Sequence, residues 1–325
     1  MNNDKPAPPR SYVTPWTSKA YDALPGSPIR IAIGFAIALL AAFFAGRALV
    51  DGPMDPDPRN LRVAIVLILL TAYASFAFAY LATVARRSVR GLAPAVGQTQ
   101  PWQTIADRVG TYPWWALMLA GIAGILAYIP ITASTAPEEG RWIWQNLPYD
   151  VRWHRVIGFF LFWWVGCLCY VLVTESFRLS RLSDSIESVD LVDLQPYRPL
   201  IRLGLTNALL MIGMASLVSP MLIESGLGSV VVGAWITSVI FAWIGLMLPL
   251  RGIRKKIRAA KDKELDWCRQ ALKTARNEMK AGAGGARSVA EIIAYRIMIE
   301  DIRNWPFDNP TLMRFALYLL IPLGS

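Results

Sequence analysis

One histidine, His154, and three cysteines are the chain's whole supply of the side chains most often used for metal binding and nucleophilic catalysis. Cys167 and Cys169 lie two apart and so cannot share a helix face, while Cys268 stands far along the chain. No zinc spacing and no disulfide framework can be drawn from them. A phosphate-cradling glycine loop, an HExxH pair and a GxSxG elbow are all missing as well. Charge is scarce: 17% of residues are Asp, Glu, Lys or Arg, and they sit in blocks between long apolar runs. An enzyme or a proton-coupled pump needs ionisable groups in its path, so the sequence argues against both and implies no cofactor. No inverted repeat marks a secondary transporter.

Apolar residues are abundant instead. With 54% hydrophobic residues and 13 tryptophans in 325 positions, and a mean hydropathy of +0.38, a water-facing surface could not be polar enough. The runs are continuous and not alternating, which selects membrane helices over a closed barrel. The expected fold is all-α: a polytopic helical membrane protein with six full transmembrane helices, a seventh span only in part, and a cytoplasmic helical hairpin. The net charge of +10 is concentrated beside the spans, where the positive-inside rule accounts for it, so nucleic acid is not an expected partner.

Six regions follow in order. Residues 1–30, rich in proline and carrying Lys5, Arg10, Lys19 and Arg30, read as an irregular cytoplasmic tail and not as a cleavable signal peptide. Residues 31–175 hold four spans, expected over 31–50, 61–83, 113–131 and 156–174. Gly34, Ala38, Ala42 and Gly46 in the first, and Ala116, Ala120 and Gly124 in the third, are small-residue ladders that let helices approach closely. A polar loop is expected from Arg86 to Tyr112. The stretch 134–155, mixing acidic residues with Trp142, Trp144, Tyr149 and Trp153, reads as an interfacial segment. Residues 176–202 form a cytoplasmic amphipathic linker, and 203–250 a transmembrane hairpin.

The last two regions carry the most distinctive pattern. Residues 251–304 begin with Arg251, Arg254, Lys255, Lys256 and Arg258, a cluster suited to anionic lipid headgroups. Leu265, Cys268, Leu272, Ala275 and Met279 then recur at three and four residues, the spacing of a coiled-coil seam. Gly282, Gly284 and Gly285 break it, Ser288 and Glu291 resemble a capping box, and Ile292, Tyr295, Ile299 and Ile302 resume the spacing. The pattern predicts an antiparallel hairpin whose seam docks a protein partner or another subunit. Residues 305–325 return to the membrane; at 1.5 Å per residue Thr311–Ser325 reaches about 22 Å, short of a core about 30 Å thick.

Three polar features are candidates for a site. Asn207 and Thr206 in the fifth span, with Thr71 and Ser75 in the second, line a pore or else make polar contacts between helices. His154, between Trp153 and Arg155, is a candidate pH sensor or an interfacial hydrogen-bonding residue. Counting Lys and Arg by loop puts the N-terminus in the cytoplasm of a multi-pass protein of a bacterial inner membrane or its equivalent. The function this supports is a non-enzymatic structural, assembly or signalling platform whose cytoplasmic arm docks a partner. The alternative is a passive ion channel or small-solute transporter gated by the arm.

Overall fold

The computed structural model describes residues 12–51, 57–96, 106–134, 147–184, 197–223, 228–280 and 286–302, with isolated positions at 103, 191, 313 and 317. It is all-α apart from one pair of two-residue strands. A short helix α1 (Trp16–Ala23) precedes α2 (Pro28–Val50), α3 (Pro58–Val96), α4 (Trp114–Ser134), α5 (Tyr149–Asp184), α6 (Arg198–Val218), α7 (Gly228–Lys280) and α8 (Ala286–Asp301). Six of these, α2 to α7, are long and apolar enough to cross a membrane. The 281–285 turn and the returning segment 305–325, Met313 and Leu317 apart, lie outside the described residues.

The spans fall where hydropathy puts them, but three helices are much longer than a crossing of a core about 30 Å thick needs. α3 has 39 residues, about 58 Å at the helical rise, and continues through Arg86, Arg87 and Arg90 where a polar loop was expected. The reason is that Ala85, Val89 and Leu92 keep a buried face past the apolar run. α5 likewise continues to Asp184 because Leu179 and Leu182 are fully buried, which removes the first part of the expected linker. At its other end α5 begins at Tyr149, so residues 149–155, the end of the expected interfacial segment, are helical and continuous with the span. The irregular tail is also more ordered than its prolines suggest: Tyr12–Val13 is a strand β1, paired antiparallel with β2 (Tyr112–Pro113), and α1 packs on α3.

α5 is the hub, packed against α3, α4 and α7, while α6 fills the angle between α3 and α7. Lipid gives helices no hydrophobic reason to associate, so close backbone approach must supply it. The α4–α5 crossing does this: a Cβ on Gly166 would run into the Ala120 carbonyl, and one on Gly124 into the Phe162 carbonyl. The first span's ladder is used differently. Gly46 receives the Tyr149 ring, but Gly34 faces open space, and Phe43 is the only fully buried residue of α2. α2 is therefore a peripheral helix, packed on α3 through Ala36, Leu39, Leu40 and Phe43.

Candidate functional site

Two polar sites are buried at the end of the bundle rich in arginine, and both begin on α5. Glu175 and Ser176 are adjacent and each is wholly buried. Consecutive helical positions point about 100° apart, so one faces α4 and its loop while the other faces α6 and α7.

The Glu175 side gathers five chain segments. Its Oε1 accepts from the Tyr112 hydroxyl (2.7 Å), Arg178 Nη1 (2.9 Å) and the Gly110 amide (3.1 Å), while Oε2 has no partner among the described residues. Arg178 also donates to the carbonyls of Arg108 (2.7 Å) and Thr111 (3.0 Å) and lies 5.3 Å over the Tyr112 ring. Gly110 makes the turn that permits this: its φ of +81° is a left-handed conformation, and Arg86 Nε would stand 3.1 Å from an added Cβ. Tyr112 belongs to β2, so the site also fastens β1, with Arg108 5.8 Å over the Tyr12 ring and Asp22 of α1 3.8 Å from Arg86. Burial, then the neighbouring Glu175 carboxylate, pushes the Tyr112 hydroxyl well above the usual tyrosine range.

The Ser176 side is a three-helix junction. Asn207 of α6 is fully buried; its Nδ2 donates to Ser176 Oγ (3.1 Å) and to the Gly245 carbonyl of α7 (3.4 Å). That carbonyl is four residues before Pro249, the position at which an α-helix would bond to an N–H that proline lacks. Asn207 thus supplies the donor the helix cannot. Glycine at 245 makes the approach feasible, since even an added Cβ there would stand 2.9 Å from Asn207 Cβ.

The other polar residues picked from sequence do not join Asn207. Thr71 donates to the Leu67 carbonyl of its own helix at 2.7 Å, and Ser75 to that of Ala72 at 2.8 Å. Ser75 also meets the Tyr21 hydroxyl of α1 at 3.0 Å. Thr206 is half-buried. His154 sits at the opposite end of the bundle, its Nε2 3.1 Å from the Asn60 carbonyl and its own carbonyl accepting from Tyr128 at 3.1 Å. Near it Arg47 and Asp150 form a buried ion pair at 2.8 Å between α2 and α5. Among the described residues no three His, Cys, Asp or Glu side chains gather as metal ligands would.

Beyond Pro249, α7 continues without a break, its Leu250, Ile253 and Ile257 still buried in the main core, and α8 then packs back on it, antiparallel. Tyr295 donates to Glu264 Oε2 (3.2 Å) and receives the edge of Trp267 at 6.0 Å. Lys261 Nζ donates to the Glu300 and Ile302 carbonyls, 2.7 Å each, closing the end of α8. Cys268, Ala275 and Ile299 are buried, and Leu265, Leu272 and Ile292 half-buried, so much of the expected docking seam is spent inside the arm; Met279 stays exposed. The outward face of α8 is apolar too, with Ile293, Ile297 and Met298 exposed, and Trp267 of α7 is also exposed. Arg251, Arg254, Lys255 and Arg258 are exposed and Lys256 half-exposed at the arm's base.

Sequence reading passed over Glu175, which looked like a span boundary, and Tyr112. Their burial needs the 106–113 segment to fold under α5, which no local pattern announces. The Gly245–Pro249 spacing was a usable signal, because a proline in a long helix always orphans the carbonyl four residues before it. No protein-family model matches this chain, and neither does any curated protein or solved structure.

Proposed function

We propose that this protein is a non-enzymatic membrane platform with its arginine-rich end in the cytoplasm, and that the α7–α8 arm docks a partner protein or a second subunit. One observation carries the reading. α8 buries Ile299 against α7 and still leaves Ile293, Ile297 and Met298 exposed. A helix apolar on both faces is normally covered on both. The docking surface is therefore the outer face of α8 and not the seam residues Cys268 and Ile299. The orientation rests on the positive-inside rule applied to Arg86, Arg87, Arg90, Arg178, Arg181, Arg198 and Arg202.

The test compares full-length protein with an Ile293→Glu/Ile297→Glu variant, in mild detergent and in native membranes. The variant should lose its co-purifying partner or its oligomeric mass while keeping its thermal stability. An unchanged mass and partner set would remove the reading. A second reading, a passive ion or solute path gated by the arm, rests on two buried acceptors without partners among the described residues, Glu175 Oε2 and Asn207 Oδ1. Flux into liposomes that falls in Asn207→Leu would favour it; purified protein that carries no ion or small solute would end it.

A further inference from the structure

α3 and α6 run side by side, and two hydrogen bonds fix their register: Ser88 Oγ donates to the Pro199 carbonyl at 3.2 Å, and the Tyr73 hydroxyl to the Leu210 carbonyl at 2.9 Å. Between those bonds the position falls by fifteen on α3 and rises by eleven on α6, so the helices are antiparallel. Arg87 stands one residue before Ser88, and Arg202 three after Pro199. On antiparallel helices these steps shift both arginines toward the same end, by about 1.5 Å and about 4.5 Å, and turn both off the contact line to the same side, by about 100° and about 60°. We propose that this flank of the α3–α6 seam binds one anionic diacyl phospholipid from the leaflet at the arginine-rich end, its phosphate between Arg87 and Arg202. The inference needs α3 and α6 to cross the membrane and does not depend on what the arm docks.

Charge and length choose that occupant. Both arginines are exposed, and neither has a hydrogen bond or an ion pair with a described residue. Two planar guanidinium forks at nearly one level suit a phosphate's oxygens, which a single lysine point charge does not. The same side is apolar on both helices. Tyr80 and Tyr73 lie seven and fourteen residues before Arg87, and Leu209 seven after Arg202, so each keeps its arginine's face to within about 40°. Phe76 fills the α3 side, 6.1 Å from the Tyr73 ring and stacked on Tyr80 at 5.4 Å. From Tyr73 to Arg87 is about 21 Å along the helix, and one leaflet of a core about 30 Å thick is about 15 Å deep. The flank thus reaches across a whole acyl layer, and its charge begins where a headgroup would lie.

Other occupants meet only half of this. A neutral lipid would cover the rings and Leu209 but bring no net negative charge to the guanidinium groups. A soluble anion would use the charges and leave the rings uncovered. A second copy in the same membrane orientation, related by a two-fold axis, would set these arginines against their own counterparts.

The test is native mass spectrometry of the full chain, titrated with phosphatidylglycerol, with phosphatidylcholine of the same acyl chains, and with glycerol 3-phosphate. Wild type should retain one phosphatidylglycerol in preference to phosphatidylcholine and no glycerol 3-phosphate. Arg87→Gln/Arg202→Gln should weaken that binding at least about tenfold, as expected when charge-assisted bonds are removed. Phe76→Ala/Leu209→Ala, which trims the apolar wall and leaves the charges, should weaken it as well. Lys255→Gln/Arg258→Gln, at the base of the arm, should keep the preference. A loss in Arg87→Gln/Arg202→Gln no greater than in that control would mean diffuse surface attraction, and tight glycerol 3-phosphate binding would mean a soluble ligand. A changed oligomeric mass in Arg87→Gln/Arg202→Gln would mean that protein covers the flank, and unchanged binding in Phe76→Ala/Leu209→Ala that only a headgroup is held. Any of these results overturns the proposal.

Discussion

Asn207 Nδ2 lies 3.4 Å from the Gly245 carbonyl, the acceptor that Pro249 leaves without a helical donor. A side chain of α6 thereby completes the hydrogen bonding of α7 at a fully buried position, where water cannot. The bond ties the point at which α7 loses its own continuity to the centre of the bundle.

The pairing predicts non-additivity. Asn207→Leu should cost about 1–3 kcal/mol, the penalty for an unsatisfied buried acceptor. In a Pro249→Ala background, the new alanine's backbone N–H donates to the Gly245 carbonyl, so the same change should cost about 1 kcal/mol less. Unfolding of the four proteins in mixed micelles measures it; strictly additive losses would show that Asn207 acts only through Ser176.

At Glu175 the expectation follows from three donors converging on one oxygen. Glu175→Ala leaves the half-buried Arg178 with its two carbonyl acceptors but without its carboxylate, a loss of about 3 kcal/mol. Tyr112→Phe removes one charge-assisted bond and should cost about 1.5–3 kcal/mol. Both should also release β1, read as faster proteolysis between Val13 and Trp16; an N-terminal segment that stays protected would sever the link between the two.

Tyr112 also sets a pH dependence. Its folded-state pKa is raised above the ordinary 10.0, so unfolded protein loses this proton first as pH rises. The contribution is complete below about pH 10 and is lost as pH climbs above it toward the folded value. Wild type should lose more stability between about pH 9 and about pH 11.5 than Tyr112→Phe does, by denaturant titration at each pH. Parallel curves would contradict the buried hydroxyl.

At the opposite end, Asp150→Asn should cost about 3–5 kcal/mol, since Arg47 would remain charged with 11% of its side chain exposed. Arg47→Leu/Asp150→Leu should come within about 1 kcal/mol of wild type, because removing both charges removes the desolvation cost too. A double variant as unstable as the single one would mean that α2 depends on the ion pair and not on Phe43.

Residue order alone determined that six helices among the described residues would be long and apolar enough to cross a membrane, and that a basic stretch would follow the last of them. Those depend on runs of twenty or so residues and on helical spacing, both local properties. Which polar groups would be buried together was decided only by the tertiary structure. Glu175 meets Tyr112 across 63 positions and Asn207 meets Gly245 across 38, and no spacing rule reaches that far. The same holds for the arm: the spacing of Cys268 and Ile299 marked an apolar seam, but only folding α8 onto α7 showed that this seam is used internally and that Ile293 and Ile297 face outward.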